Sequence, residues 1–472
     1  MKNNTFTSLL SLIIALVALL TSCSSVYIDP DISSDNSDVA IEGEYFTTGS
    51  LYSSGGGTSA TGFFYKGCWL YIERQMTIGP RGQNSNGEIH YGEVQIERVV
   101  KYNPVTDTVS SPCLDPVCTH SLESGCVMLN PHELDSPHKT FDIMQLVGDW
   151  MILRLRYYDE VYVTKNYVTF YNLQTGEAKK FFEEDLENNV MTRWVSGSSF
   201  GNKFYNIKQT LDYSATGFDK TNKDKSIADY NPKTIQTLCE YDLDAGKVTE
   251  LFELEENLKL FAVSNKRFFF VDDTETFYSS NRDGSNMTKE EGLDFLPDDM
   301  VGSYAYSFYE LDGFTVYDIS KNQKRSVSVE YDEYYECYLA DDGVLFDYVV
   351  GYEEYLELKS QRSQLRAEYE SQGMSFDEIN DLINKKLEDA LHSQPTKVYK
   401  CDFDGENMRL IYEEDNAVIA SVYATEEHLF AIRSKRVNGE TVSEECIINL
   451  KTGEIKTPPL LEVIVPSWYV ND

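Results

Sequence analysis

The sequence predicts an all-β fold: a β-propeller of six or seven four-stranded blades, with one helical hairpin inserted. Three observations carry that prediction. From about residue 41 onward, short apolar runs rich in Tyr, Phe, Val and Ile alternate with polar turns, the pattern of many short antiparallel strands. A strand–turn–strand unit recurs seven times. A second hairpin precedes most copies of it, so each module supplies four strands, and such modules in series describe a propeller.

The recurrent outer turns are Tyr102-Asn103-Pro104-Val105-Thr106-Asp107, Tyr171-Asn172-Leu173-Gln174-Thr175-Gly176 and Tyr241-Asp242-Leu243-Asp244-Ala245-Gly246, then Ser280-Asn281-Arg282-Asp283-Gly284. Tyr317-Asp318-Ile319-Ser320-Lys321-Asn322, Cys401-Asp402-Phe403-Asp404-Gly405 and Ile448-Asn449-Leu450-Lys451-Thr452-Gly453 complete the set. Asx side chains bond back to the turn backbone, and the closing Gly or Asn tolerates positive φ. Inner hairpins open at Lys66-Gly67, Gly148-Asp149, Gly201-Asn202, Asn265-Lys266, Asp341 to Gly343 and Glu426-Glu427. Seven outer turns favour seven blades. Six inner hairpins are clear, and residues 298–330 are ambiguous, so six blades stay open. Turns such as CDFDGEN and YNLQTGE resemble those of the TolB-like and YWTD-like propellers of bacterial surface proteins, over about residues 41–465. That resemblance implies the architecture and no particular ligand.

One stretch breaks the β rhythm. Residues 352–392 are rich in good helix formers. Ser375-Phe376-Asp377-Glu378 matches a capping box, with Ile379, Leu382, Ile383, Leu387 and Leu391 on one face behind it. Gly373 marks the end of a preceding helix over about 352–371. The expectation is a helical hairpin between the second and third strands of the penultimate blade.

The N-terminus reads as an address. Lys2 precedes an apolar run, Leu9 to Leu20, that is short for a membrane span. Leu20-Thr21-Ser22-Cys23 resembles the bacterial lipobox, whose Cys receives a diacylglycerol thioether and becomes the mature N-terminus. Residues 1–22 are thus expected to be a lipoprotein signal peptide and Cys23 the lipidation site. Residues 23–40, rich in Ser and Asp, form a tether, and 41–472 the propeller. The protein would be exported and lipid-anchored at the cell surface or periplasmic face.

The 472 residues carry 41 Lys plus Arg against 78 Asp plus Glu, a net charge of −37. Phosphates repel such a chain, which argues against a nucleic-acid partner, and an anionic bilayer repels it too, so lipid rather than charge must hold it there.

Cysteine supplies the sharpest local signal. SPCLDPVCTHSLESGC places Cys113, Cys118, His120 and Cys126 together, and three thiols with an imidazole match a closed tetrahedral zinc site. A disulfide between two of the three, or unlinked thiols, are the alternatives. The run resembles a DPxCxH cysteine element of uncharacterised anaerobe lipoproteins. His132 and His138 follow closely and could substitute as ligands. Cys68, Cys239, Cys337, Cys401 and Cys446 fall singly in strands, with Cys239 and Cys446 at equivalent positions. Unpaired thiols on an exported chain suggest an anaerobic habitat.

No catalytic residue is assigned. Gly197-Ser198-Ser199-Phe200-Gly201 matches G-x-S-x-G, but runs into a strand where a nucleophile elbow needs a helix. Asp402-x-Asp404-Gly405 has half the calcium-loop pattern and reads as a turn. Glu183-Glu184-Asp185 and Glu413-Glu414-Asp415 read as solvated faces. Tyr334, Tyr335 and Tyr338 could offer an aromatic binding surface. Two functions follow: a binding or interaction module for a protein, peptide or glycan, and alternatively a polysaccharide hydrolase or lyase with carboxylates in the channel.

Overall fold

A computed structural model describes residues 63–461, except 84–88, 121–125, 134–138, 159–163, 184–185, 188, 219–228, 256–257, 291–294, 296, 311–312, 329–335, 341–342, 350–351, 393–394 and 439. The expected signal peptide, Cys23 and the tether lie outside the described residues.

The chain forms seven sheets, each antiparallel and built almost entirely from consecutive strands. Blade 1 holds β1 (Phe63–Tyr65), β2 (Cys68–Gln83), β3 (Ile89–Asn103) and β4 (Thr108–Ser110), with β5 (Leu129–Glu133) also paired to β3. Blade 2 holds β6 (Lys139–Val147), β7 (Trp150–Tyr158), β8 (Thr164–Asn172) and β9 (Ala178–Glu183). Blade 3 holds β10 (Leu186–Glu187), β11 (Val190–Phe200), β12 (Lys203–Asp212), β13 (Lys233–Asp242) and β14 (Lys247–Leu254). Blade 4 holds β15 (Lys259–Val263), β16 (Arg267–Val271), β17 (Phe277–Asn281) and β18 (Thr288–Lys289). Blade 5 holds β19 (Asp299–Val301), β20 (Tyr304–Glu310), β21 (Gly313–Asp318) and β22 (Gln323–Ser328). Blade 6 holds β23 (Glu336–Ala340), β24 (Gly343–Val349), β25 (Thr396–Cys401) and β26 (Arg409–Glu414). Blade 7 holds β27 (Ala417–Ala424), β28 (His428–Val437), β29 (Glu440–Asn449) and β30 (Ile455–Lys456). Seven blades, not six, is therefore the count. The inner hairpin hidden in 298–330 is β19–β20, turning at Gly302 with φ 57°.

Middle strands are buried on both faces, because each blade packs between two others. In β16, Phe268 and Phe270 pack with Tyr205 and Leu238 of blade 3, while Phe269 packs with Met300 and Ala305 of blade 5. All three rings are fully buried, and each contributes about 1.5–3 kcal/mol of transfer free energy. The innermost strands β6, β11, β15 and β27 each carry a register shift shortly before the inner turn, and such bulges bend a strand. Buried polar bonds join neighbouring blades there. Gln145 donates to Ser199 Oγ at 2.8 Å, the Leu260 N–H donates to Ser196 Oγ at 2.6 Å, and Ser421 donates N–H and hydroxyl to the fully buried Asp347 carboxylate.

Outer turns obey the sequence logic. Asn172 and Asn449 each accept two backbone N–H bonds at 2.9–3.0 Å, and Gly176 and Gly453 close the turns at φ 74° and 71°. Gly405 needs glycine twice over. Its φ is 79°, and a Cβ would lie 2.3 Å from Val327 Cγ2 of the preceding blade.

The ring closes through side chains and a strap. Trp69 stacks on Phe430 with centroids 5.2 Å apart, joining blades 1 and 7. Beyond β30 the chain crosses to blade 1, where the Leu461 N–H donates to Glu73 and its carbonyl accepts from Arg98.

The helical insertion lies between β24 and β25, in blade 6 as expected. The helix expected over 352–371 is two, α1 (Tyr352–Ser360) and α2 (Arg362–Ser371), followed by α3 (Phe376–His392). The capping box is formed: the Ser375 N–H donates to Glu378 at 2.9 Å, and the Glu378 N–H returns to Ser375 Oγ at 3.4 Å. Tyr369, Ile379, Ile383 and Leu387 form a small core of the insertion's own. Arg436 of blade 7 pairs with Glu388 and Asp389 at 2.5 and 2.9 Å, docking α3.

Candidate metal centre

The fourth strand of blade 1 is split. β4 pairs with residues 101–103 of β3, and β5 pairs with residues 94–98. Between them the described residues 111–120 and 126–128 lie outside the sheet, which the chain rejoins where the Val99 N–H donates to Met128 O at 2.9 Å. This excursion carries all four residues of the cysteine cluster.

Its local chemistry folds it tightly. The Val117 N–H donates to Asp115 Oδ1 at 3.0 Å, the Cys118 N–H to Asp115 O at 3.1 Å, and the Cys113 N–H to Ser111 Oγ at 3.2 Å. His120 adopts φ 51°, a left-handed conformation that residues other than glycine seldom take. Blade 2 supports the other side. Tyr171 Oη accepts the Leu114 N–H at 2.7 Å, and Gly176 leaves room for Leu114, whose Cβ would sit 3.0 Å from any Cβ there. Cys126 is buried among residues of blades 1 and 2, with Cys113 and Cys118 packed against the same group.

The ligand atoms of Cys113, Cys118, His120 and Cys126 all lie within 4.8 Å of one another. Zn–S and Zn–N bonds of about 2.3 and 2.0 Å at tetrahedral angles imply S···S and S···N separations of about 3.8 and 3.5 Å. Cys126 Sγ and His120 Nδ1 stand 3.6 Å apart. The eight described cysteines are thiols rather than halves of disulfides. Burial raises the thiol pKa of Cys113 and Cys126, and the neighbouring Cys118 sulfur adds to this at both. A divalent cation reverses that preference and holds coordinated sulfur as thiolate. The four residues could thus hold a metal ion, and four protein ligands leave no position for a reacting water.

The side chains of His132 and His138, the proposed substitutes, lie outside the described residues, as do those of Tyr334, Tyr335 and Tyr338. Cys239 and Cys446 are buried in β13 and β29, the strands that lead into the outer turns of blades 3 and 7. The G-x-S-x-G match ends β11 and enters the β11–β12 turn, with Ser198 and Ser199 buried in the sheet. Asp402 and Asp404 shape an outer turn, where the Gly405 N–H donates to Asp402 O and the Glu406 N–H to Asp404 Oδ1, each at 2.9 Å. Glu414 does not face solvent as expected. It is paired with Arg433 at 2.7 Å and also with Lys435, tying blade 6 to blade 7. Glu183 to Asp185 lie outside the described side chains. Sequence reasoning missed Arg98, Glu73 and Asp347, because their partners are distant in the chain and no local signal marks them.

No protein-family model matches the chain, and no curated protein matches it. Solved structures do. An acylaminoacyl peptidase of Pyrococcus horikoshii is 13% identical with a TM-score of 0.40, covering 85% of this chain and 52% of its own. A post-proline cleaving enzyme from Rickettsia typhi is 9% identical with a TM-score of 0.40, covering 85% and 53%. The β-propeller domain of the Trilobed protease from Pyrococcus furiosus is 14% identical with a TM-score of 0.29, covering 69% and 98%. The chain spans about half the length of the two enzymes. Likenesses this distant carry no argument about chemistry. The seven-bladed assignment rests on the chain's own sheets.

Proposed function

We propose that this chain is an exported lipoprotein, fixed to a membrane through acylated Cys23, whose propeller is a binding module for a protein, peptide or glycan. Residues 1–22 serve as the signal peptide, 23–40 as the tether and 41–472 as the propeller. The described residues include no helix long and apolar enough to cross a membrane, and the support for the anchor is the lipobox-like Leu20-Thr21-Ser22-Cys23. The cysteine cluster holds a structural zinc ion.

One observation carries the binding reading: the two faces differ. First-to-second strand turns span two or three residues, and third-to-fourth turns span four to seven. Antiparallel order puts all of these on one face. Second strands end and third strands begin on the other, where twenty residues separate β12 from β13 and the helical insertion separates β24 from β25. Long connections on a rigid scaffold are where recognition residues concentrate.

The test is a glycan and peptide array probed with the full chain in detergent. Binding should be lost when 213–232 is shortened and kept when Lys321, on the tight-turn face, becomes Ala. A ligand mapped to the tight-turn face contradicts the reading. Cys23→Ala should release the protein from membranes, and unchanged membrane retention contradicts the anchor.

A further inference from the structure

We propose that the zinc–thiolate clip is a peroxide-sensitive switch, in which hydrogen peroxide joins Cys113 to Cys118, expels the ion and uncouples the two halves of the split strand. The proposal rests on the zinc reading above.

Three observations select this site. First, ligation and disulfide formation exclude each other. Two sulfurs on one tetrahedral ion stand about 3.8 Å apart, and a disulfide needs about 2.05 Å. The cluster therefore has two discrete arrangements, and no third in which both bonds exist. Second, access is graded. Cys113 and Cys118 are half-buried, while Cys126 is buried. A small neutral oxidant reaches the first two before the third. Third, four of the five remaining described sulfurs are protected, and Cys337, half-buried like Cys113 and Cys118, is not part of the four-ligand cluster. Cys68, Cys239, Cys401 and Cys446 are buried in strands, and burial raises the thiol pKa of Cys239, Cys401 and Cys446. Thiols held protonated in apolar surroundings are poor nucleophiles, whereas metal-bound sulfur is thiolate already.

The chemistry balances. One thiolate attacks a peroxide oxygen, the O–O bond breaks, and the departing hydroxide takes a proton as water; the sulfur is now a sulfenic acid. The second thiolate attacks that sulfur, the S–S bond forms, and the hydroxyl leaves with a proton as a second water. Two electrons have passed from sulfur to peroxide. His120 and Cys126 alone cannot retain the ion. With it goes the link between the start of the excursion, at 113–120, and its return at Cys126, three residues before β5 begins.

The experiment uses the full chain, purified in detergent under reducing conditions, with zinc measured before and after titration with hydrogen peroxide. The expected result is one zinc ion released for every two thiols lost, a Cys113–Cys118 disulfide in the peptide map, faster amide exchange over 129–133, and reversal by dithiothreitol with zinc. Cys401→Ser should respond as the parent does. Zinc that stays bound as peroxide is consumed overturns the switch alone, as does zinc released without a disulfide inside 113–126. Absence of zinc before peroxide is added overturns the metal reading and the switch with it.

Discussion

Replacing Arg98 by Met should destabilise the propeller at its closure. Arg98 and Glu73 side chains are 5% and 4% exposed and pair at 2.5 Å. The guanidinium also donates to Gln75 at 3.0 Å and to the Leu461 carbonyl, and Glu73 accepts the Leu461 N–H at 3.0 Å. The pair thus holds the strap as well as itself. Methionine matches the stem but leaves the Glu73 carboxylate buried with one weak donor. Breaking a buried pair from one side costs about 3–5 kcal/mol. For about 340 described residues the entropy of unfolding is about 0.7 kcal/mol/K, so the midpoint should fall by about 4–7 °C. Differential scanning calorimetry reads this, and amide exchange at Leu461 should rise with it. The double variant Glu73→Leu, Arg98→Met should cost less than the two single changes summed, since no charge is left stranded. An Arg98→Met protein within about 0.5 kcal/mol of the parent would refute the reasoning.

Acid should loosen the junction of blades 6 and 7. Burial works to raise the Glu414 pKa, but hydrogen bonds from Arg433, Lys435 and Tyr412 outweigh it and hold the carboxyl at about 2 against 4.5 ordinarily. The unfolded chain then binds the proton first, so this contribution is full above pH 4.5 and lost as pH falls toward 2. Urea midpoints across that window should show a flatter acid limb for Glu414→Gln. Gly405→Ala should cost about 1–3 kcal/mol more than Gly453→Ala, because both have positive φ but only Gly405 lacks room for a Cβ; paired thermal melts measure the difference. Ser375→Ala should cost about 1 kcal/mol, confined to α3 and visible as faster exchange there. Replacing 350–395 by a two-residue turn should leave the propeller folded, since the insertion has a core of its own; loss of cooperative melting would contradict this.

Local chemistry made much of the fold legible. Asx-to-Gly turns announce themselves, because one residue supplies the acceptor and another the positive φ. Ser375 and Glu378 specify their cap within four residues. Blade 5 is obscure in the sequence because its first hairpin has no Asx–Gly turn, and Gly302 is the lone mark of its inner turn. Gln361 hid the break between α1 and α2, since it carries no breaker residue. At the metal centre, the ligand set can be read from sequence spacing. That the excursion splits an outer strand cannot, because β4 and β5 acquire meaning only against β3. Arg98, Glu73 and Leu461 belong to opposite ends of the chain, so their contact is a product of ring closure.

X-ray absorption on the full chain, purified without added metal, tests the zinc site at Cys113, Cys118, His120 and Cys126. The expected result is zinc at one ion per chain, with three sulfur neighbours at about 2.3 Å and one nitrogen at about 2.0 Å. No zinc, or a Cys–Cys bond among 113, 118 and 126 in freshly reduced and desalted protein, would contradict it.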